Sequence, residues 1–432
     1  MKNISTNDFF VGRKKELTLL SNQFDDIKNG KNNRVFLLVN CPGLGKGTLL
    51  RKFSTSVESE RSGMYLNYKC SRNDTEIQIL LKSIIFTVSK KLSDAVFLKE
   101  FRKSLNKDHR DNYDYEIKIF REKIDSIKDS KKIEISTFVD LLRNFSLRIP
   151  IIFHIEDAHI LHEITFKTVD KQDKSKLISQ NALYFMANLL KDLLSAKIFI
   201  LLSGTKKQII NYLKASQISP IAKSIYSLSL EPLNTEEIIE YIKKVKDLNK
   251  KKIKGTTKDK RENIYKFLQI FYLGYSGGHP KTINALTEIF MSHTDEIFAS
   301  SFEKGFLSFQ MEFNSIVKEH IASSLFSSDM FKDLQRTFKK PGINEIKKWF
   351  YNGAIKGLFI NSRPHLSDTP KDEEMQQIAH QLVYLGFLIN IKDTQYQFSS
   401  LYHLIEVLNL LNDDSSKKIL SIESVEESFD FS

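Results

Sequence analysis

A glycine-rich segment at residues 40–50, N-C-P-G-L-G-K-G-T-L-L, constrains the fold of this chain more than any other feature. It follows the apolar run R-V-F-L-L-V-N, which predicts a buried strand at residues 34–40, and it leads into a helix predicted to begin at Lys46. Glycines let the backbone curl so that its N–H groups point at an anion, and the helix N-terminus adds a favourable dipole. Lys46 would supply a cation for the β- and γ-phosphates of a nucleotide. The segment therefore predicts a phosphate loop in an α/β fold.

Two positions depart from the usual form of such a loop, G-x-x-x-x-G-K-[ST]. Asn40 stands where the first glycine belongs, and Gly47 stands where Ser or Thr belongs, with Thr48 one place later. Pro42, Gly43 and Gly45 can still supply the turn, so we expect phosphate binding. The alternative is a glycine-rich turn with a purely structural role.

Five short apolar runs predict the strands of the fold. They are separated by helical segments, and that alternation is typical of a parallel sheet covered on both faces. The predicted class is α/β: a P-loop NTPase core with a five-stranded parallel sheet, then a helical lid and a C-terminal winged-helix-like domain. The predicted strands lie at residues 34–40, 63–70, 149–155, 197–202 and 226–230.

The chain length of 432 residues suggests several domains. We predict a core at residues 1–242, with a solvated helical insertion at about 90–132, and a basic linker at 243–261. A helical lid would follow at 262–298, a helical and winged-helix-like domain at 299–412, and a flexible acidic tail at 413–432. In the segment at 299–412, a predicted helix leads into two short runs of alternating apolar and polar residues, separated by K-D-T. A helix followed by such a hairpin is the order found in a winged helix.

An acidic pair, Glu156 and Asp157, ends the predicted strand I-P-I-I-F-H-I-E-D. At the carboxyl edge of a parallel sheet the pair would lie beside the phosphate loop. One carboxylate would hold Mg²⁺ and its neighbour would polarise the attacking water. Thr48 and Glu156 are thus the candidate metal ligands, and the candidate catalytic residues are Lys46, Glu156 and Asp157.

These motifs, in this order, resemble the AAA+ and STAND classes of P-loop ATPases, including their Orc1/Cdc6-like branch. The resemblance covers about residues 9–290. It rests on F-F-V-G-R-K-K-E-L at residue 9, the phosphate loop, E-D-A-H at 156, I-F-I-L-L-S-G-T at 198 and G-G-H-P-K-T-I at 277. The resemblance implies ATP as ligand and a further set of nucleotide contacts: Val11, Gly12, Arg13, Pro42, Gly43, Leu44, Gly45, Lys46, Gly47, Thr48, Leu49, Ser203, Thr205, Pro280 and Lys281.

Departures from the family pattern bear on catalysis. The family usually has Asp where Glu156 stands, and no Arg occurs between Arg148 and Arg261, so the arginine often found after the strand at residue 198 is missing. Lys206 and Lys207 occupy that neighbourhood and cannot make a bidentate fork. We therefore expect slow turnover or turnover that needs a partner's arginine.

The net charge of +12 is concentrated in one place. Residues 243–261 hold nine Lys and one Arg against two Asp. We interpret this segment as a solvated linker; an anion-contacting arm and, in a eukaryote, a nuclear import signal are the alternatives. The predicted helix before the C-terminal hairpin has three acidic residues and no Lys or Arg, which favours a structural or partner-binding use of this domain over DNA reading.

The cysteines, the apolar runs and the histidines bear on the cellular compartment and on metal binding. Cys41 and Cys70 are too few for a disulfide framework, and no run of about 18 apolar residues occurs, so we expect a cytosolic protein (nuclear if eukaryotic) with no membrane contact. Three histidines at 154, 159 and 162 lack a fourth zinc ligand, and structural or phosphate-adjacent roles are expected.

The sequence therefore predicts an ATP-binding and ATP-hydrolysing switch whose domains rearrange or assemble with nucleotide. ATP or ADP, Mg²⁺, and a protein partner or a second copy of the chain are the expected partners. An Orc1/Cdc6-like DNA-binding ATPase and a non-hydrolysing nucleotide-binding scaffold are the alternatives.

Overall fold

The chain folds into two compact units. The computed structural model describes residues 10–31, 34–60, 63–104, 107–130, 132–169, 177–194, 196, 198–205, 208–215, 219–249, 258–294, 296–297, 306–338, 359–360, 363–366, 373–392 and 395–411. The sheet unit consists of the described residues within Arg13–Asn40 and Lys46–Leu230. The C-terminal unit consists of those within Met1–Gly12, Cys41–Gly45 and Glu231–Ser432. Lys206, Lys207, residues 250–257 of the basic segment and the tail at 413–432 lie outside the described residues.

A five-stranded parallel sheet forms the centre of the sheet unit, as predicted. Its strand order is β2-β3-β6-β1-β7. Every residue of β1 and β6 is buried, which is what a strand covered on both faces requires. The strands of this unit are β1 (Val35–Val39), β2 (Met64–Lys69), β3 (Ile151–Glu156), β4 (Thr165–Val169), β5 (Leu177–Asn181), β6 (Ile198–Gly204) and β7 (Ile225–Leu228).

Helices connect the strands of the sheet unit. The segment predicted as a solvated helical insertion at about 90–132 contains α4 and α5. These helices are not wholly solvated, because Phe101 and Ile124 are fully buried in the hydrophobic core. The helices are α1 (Lys14–Lys28), α2 (Lys46–Glu60), α3 (Ile77–Ser93), α4 (Ala95–Ser104), α5 (Lys107–Asp129), α6 (Ile135–Ser146), α7 (His159–Glu163), α8 (Ala182–Leu193) and α9 (Gln208–Lys214), with a 3₁₀ turn at Ala222–Ser224.

A small hairpin of β4 and β5 lies outside the five predicted strands. The two strands pair antiparallel, and α8 begins only at Ala182. Asn181 fixes that start, because its side-chain oxygen accepts a hydrogen bond from the backbone N–H of Leu183 at 2.8 Å.

The C-terminal unit is mainly helical, and it carries the predicted helix followed by an antiparallel hairpin. The hairpin is the β10–β11 pair, and with β8 and β9 it makes a four-stranded sheet of order β10-β11-β9-β8. The assignment as a winged-helix domain stays a prediction. The elements are α10 (Thr235–Asn249), α11 (Lys258–Ser276), α12 (Pro280–Ser292), α13 (Phe306–Leu325), α14 (Ser328–Phe338), β8 (Phe359–Ile360), β9 (Arg363–Leu366), α15 (Glu373–Leu385), β10 (Leu388–Lys392), β11 (Gln395–Phe398) and α16 (Leu401–Leu411).

The predicted basic linker is helical at both of its described ends. Its first residues belong to α10 and its last to α11. Lys246 pairs with Glu262, and Lys244 donates to the carbonyl oxygen of Phe10 at 2.5 Å. Part of the positive charge is therefore engaged within the C-terminal unit. The boundaries given above for the core, linker, lid, C-terminal domain and tail stay predictions.

Two further predictions concern cysteines and membranes. Cys41 and Cys70 are free, buried thiols, and burial raises the pKa of Cys70. Among the helices that the structure describes, none combines the length and apolarity needed to cross a bilayer.

Candidate functional site

The glycine-rich segment forms the tight connection between β1 and α2. β1 ends at Val39 and α2 begins at Lys46. Gly43 and Gly45 have positive φ angles of 86° and 85°, which residues with a side chain rarely adopt. The Nζ atom of Lys46 donates to the backbone oxygen of Asn40 at 2.7 Å, so the lysine folds back over its own loop.

Asn40, the departure at the first loop position, has a structural explanation. Its side-chain oxygen accepts from the backbone N–H of Leu230 at 2.9 Å, and its Nδ2 donates to the Leu230 oxygen at 3.0 Å. Nδ2 also lies 3.2 Å from Ser229 Oγ. The amide thus extends the β1–β7 pairing beyond the last strand residues, which glycine could not do.

A cavity of about 800 Å³ in the sheet unit brings the main predicted residues together. Lys46, Glu156, Asp157 and Ser203 all line it. The cavity extends along α2 and reaches α3 and Asp94, and most of its lining residues have polar side chains. The other lining residues are Gly47, Leu50, Arg51, Ser54, Glu58, Tyr65, Asn67, Thr87, Lys90, Lys91, Ser93, Asp94, His154 and Gly204.

Other predicted residues of this unit lie elsewhere. Thr48, Leu49 and Thr205 are not among the residues that line the cavity, and Leu49 is fully buried. The Thr205 hydroxyl is buried and has no hydrogen-bond partner among the described residues. Arg13 is buried and pairs with Glu16 at 3.2 Å.

The acidic pair sits where β3 ends. Glu156 Oε2 accepts from Asn67 Nδ2 at 3.0 Å, and Asp157 Oδ2 lies 3.5 Å from Lys69 Nζ. Asp157 has a φ of 56°, a strained conformation of the kind that concentrates at functional sites. The next residue holds the turn in place, because the Ala158 N–H donates to the Ser203 oxygen at 2.8 Å.

The acidic pair has the ligand chemistry that a nucleotide-bound Mg²⁺ requires. Mg²⁺ on a nucleotide commonly takes only one or two protein carboxylates, the rest of its shell being phosphate and water. Glu156 and Asp157, at the cavity wall, fit that need, although no group of three metal-ligating side chains occurs among the described residues. Thr48 is the weaker candidate, because it does not line the cavity.

The histidines take separate roles. His154 is buried in β3, and its ring nitrogens lie 3.0 Å from Tyr65 Oη and 2.8 Å from Ser203 Oγ. His159 is buried at the start of α7, and His162 is exposed. In the part of the chain described, the three form no metal site.

The remaining predicted residues lie in the C-terminal unit. His279 Nε2 lies 3.3 Å from the Pro42 oxygen, and the Lys281 N–H donates to the Gly43 oxygen at 3.2 Å. Lys281 Nζ donates to the Leu325 oxygen at 2.6 Å, and burial lowers its pKa. Pro280 opens α12. The glycine-rich residues of this unit are thus packed against the G-G-H-P-K segment.

Val11, Gly12, Leu44 and Gly45 complete the predicted set in this unit. Val11 belongs to its hydrophobic core, and a Cβ atom at Gly12 would lie 2.3 Å from the Glu237 carboxylate. Leu44 is fully buried.

Sequence reasoning missed Tyr65, Asn67 and Lys69 at the site. Their signal was the alternation of β2, M-Y-L-N-Y-K, in which every second residue is polar or amphipathic. These residues line one face of the strand that lies next to the acidic pair.

Comparison with known proteins finds similar solved structures at low sequence identity. No family model matches the chain, and no curated protein matches its sequence. Cdc6p from Pyrobaculum aerophilum matches with 12% identity over 98% of both chains, at a TM-score of 0.43. The Aeropyrum pernix ORC2 protein, solved as ADPNP-ADP complexes, matches with 11% identity over 92% of both chains, at a TM-score of 0.46. The ORC1 protein of the same organism, solved with DNA, matches with 11% identity over 94% of both chains, at 0.36.

These structures are Cdc6 and ORC proteins, the kind that the motifs resemble. Their identities of 11–12% and TM-scores below 0.5 carry no argument about the family or the activity of this chain.

Proposed function

We propose that the chain is an ATP-binding protein of the AAA+ kind that hydrolyses ATP slowly and uses nucleotide to switch its domain arrangement or assembly. The observation that carries the proposal is the cavity of the sheet unit. Lys46, the acidic pair and Ser203, which come from distant points of the sequence, line one polar space. Phosphate chemistry needs this combination of a cation, carboxylates and a hydroxyl.

Each residue has a distinct proposed role. Lys46 would leave the Asn40 oxygen to contact the β- and γ-phosphates, and Glu156 would hold Mg²⁺. The metal, when bound, neutralises phosphate charge. Asp157 would orient the attacking water. Glu156 is one methylene longer than the family's usual Asp, which supports slow turnover.

The first test compares two lysines of helix α2. Lys46→Ala should raise the Kd for a fluorescent ATP or ADP analogue at least about tenfold, because a charge-assisted contact to phosphate is lost. Lys52→Ala removes an exposed lysine of the same helix that does not line the cavity, and its Kd should stay within about twofold of wild type. Undetectable nucleotide affinity in the wild type, unchanged by Lys46→Ala, would refute the proposal.

Phosphate release measured on the same proteins separates hydrolysis from binding alone. We expect slow turnover in the wild type and its loss in Asp157→Asn with nucleotide affinity retained. Binding without any turnover would favour the non-hydrolysing scaffold, which Glu156 and the missing arginine make the alternative.

A DNA-binding ATPase is the second candidate. The observation that favours it is the basic segment at residues 243–261, with nine Lys and one Arg against two Asp. Such a concentration of positive charge can contact a phosphate backbone without reading sequence. The acidic helix α15 argues against base recognition through the C-terminal hairpin domain.

A further inference from the structure

Three polar side chains from three neighbouring strands form a hydrogen-bonded row beneath the cavity. Tyr65 of β2 contacts His154 of β3 through Oη and Nδ1 at 3.0 Å. His154 contacts Ser203 of β6 through Nε2 and Oγ at 2.8 Å. All three residues line the cavity that also contains Lys46 and Asp157. The proposed function so far gives Tyr65 and His154 no role.

The surroundings of His154 favour a neutral imidazole. His154 is buried, and its ring nitrogens face the uncharged hydroxyl groups of Tyr65 and Ser203. Neither partner is a carboxylate that could offset the cost of burying an imidazolium. A neutral imidazole has one N–H and one bare nitrogen, so it must donate on one side and accept on the other.

Hydrogen bonds along the row can therefore be donated in only two directions. In the first, Tyr65 donates to Nδ1 of His154, and the Nε2–H of His154 donates to Ser203 Oγ. The proton of the Ser203 hydroxyl can then point into the cavity. In the second, Ser203 donates to Nε2, and its hydroxyl oxygen presents only lone pairs to the cavity.

A phosphate oxygen distinguishes these directions. It is negatively charged and accepts hydrogen bonds only, so it is stabilised by the first direction and repelled by the lone pairs of the second. A bound triphosphate would therefore select the direction in which Ser203 donates.

We propose that Tyr65 and His154 are positioning residues that hold Ser203 as a hydrogen-bond donor to the terminal phosphate of a nucleoside triphosphate. The inference rests on the proposed function and deepens it. A diphosphate lacks the group that Ser203 would contact, so the row should set the preference for ATP over ADP. It also selects Ser203, rather than Thr205, as the residue that senses the phosphate.

The test uses full-length wild type, Tyr65→Phe, Ser203→Ala and the double variant. The Kd values for ADP and for the non-hydrolysable imido analogue of ATP give the preference of each protein for triphosphate. Ser203→Ala should lower that preference about tenfold, as expected for one hydrogen bond to a charged group. Tyr65→Phe should lower it in the same direction. The double variant should equal Ser203→Ala alone, because the phenol acts through the serine.

Two further variants separate positioning from packing. Tyr68→Phe removes the other buried tyrosine hydroxyl of β2, which donates to Asp74 at 2.5 Å and does not line the cavity. It can lower stability but should leave the preference unchanged. His154→Asn, which is too short to span both partners, is the second route should Tyr65→Phe fail to fold, and it should lower the preference to the level of Ser203→Ala.

The outcomes are distinguishable. A wild type that binds neither nucleotide overturns the proposed function and this inference together. A wild type that binds both, with a preference that Tyr65→Phe leaves unchanged, overturns the inference alone. So does a double variant in which the two losses multiply, or an equal loss in Tyr68→Phe.

Discussion

At the scale of single residues, Gly43 is the most constrained position of the glycine-rich segment. Its φ is 86°, and a Cβ atom there would lie 2.4 Å from two ring atoms of His279. Gly45 has a similar φ of 85°, but a Cβ atom there would have nothing within 4 Å. Gly47 has neither restriction. Comparing substitutions at the three glycines therefore distinguishes the effect of backbone strain from that of a steric clash.

Alanine substitution should follow that order in stability. We expect Gly43→Ala to lower the free energy of unfolding by at least about 2 kcal/mol, because strain and a clash add. Gly45→Ala should cost about 1 kcal/mol from strain alone. Gly47→Ala, in the first turn of α2, should be neutral or slightly stabilising, because alanine favours helix. Denaturant unfolding without nucleotide measures all three, and equal losses at Gly43 and Gly45 would show that His279 does not pack there.

At the scale of elements, the β1–β7 edge depends on a side chain as well as on the backbone ladder. Asn40 continues the pairing past the end of β1 through hydrogen bonds to both backbone groups of Leu230. The residue that departs from the usual loop pattern thereby ties the start of the loop to the end of the sheet unit.

Restoring the usual glycine should therefore weaken the protein. Asn40→Gly should lower the free energy of unfolding by about 2 kcal/mol, since two hydrogen bonds to buried backbone are lost and glycine adds disorder to the unfolded chain. Ser229→Ala removes only the weaker contact at 3.2 Å and should cost less than about 0.5 kcal/mol. Thermal and urea unfolding would check both; an Asn40→Gly protein as stable as the wild type contradicts this role.

The elements that sequence alone could predict are those with a strong local signal. The five apolar runs correspond to the five parallel strands. The signal is strongest for β1 and β6, in which every residue is buried and the sequence is almost continuously hydrophobic. The β4–β5 hairpin was missed because Thr165–Val169 is short and its partner Leu177–Asn181 merges into the apolar pattern of α8. Its pairing depends on contacts that no local pattern contains.

The same distinction applies to the candidate site. Lys46, Glu156 and Asp157 were predicted because each follows a buried strand at a position with known chemistry. The row from Tyr65 through His154 to Ser203 was not predicted, because its members are 89 and 49 residues apart in sequence and meet only through the strand order. The alternation of β2 and a histidine within an apolar strand were the available signals.

At the scale of the whole molecule, the charge of +12 is the property that bears on large partners. Residues 243–261 contribute much of it, and their described ends lie in α10 and α11, where Lys244 and Lys246 already have partners. The lysines at 250, 251, 252 and 254 are the ones to test.

For the DNA-binding candidate, neutralising those four lysines to Gln should weaken binding of a short duplex at least about tenfold at low salt and flatten its salt dependence, because fewer counterions are released. Neutralising Lys82, Lys118, Lys123 and Lys132, which are exposed in the sheet unit, makes the same change in net charge elsewhere. Fluorescence anisotropy across a salt series would compare them. Equal losses in both variants would indicate only a general charge effect, and absent binding in the wild type removes this candidate.

The burial of both native cysteines makes the proposed switch directly measurable. Cys41 and Cys70 are 4% and 3% exposed, and the raised pKa of Cys70 keeps that thiol in its unreactive protonated form. Maleimide dyes or spin labels would therefore attach selectively to cysteines introduced at exposed positions, one in each unit, without first removing the native ones. Distances between two such probes, with and without ATP or ADP, would report nucleotide-driven motion in a chain whose own sequence is otherwise intact.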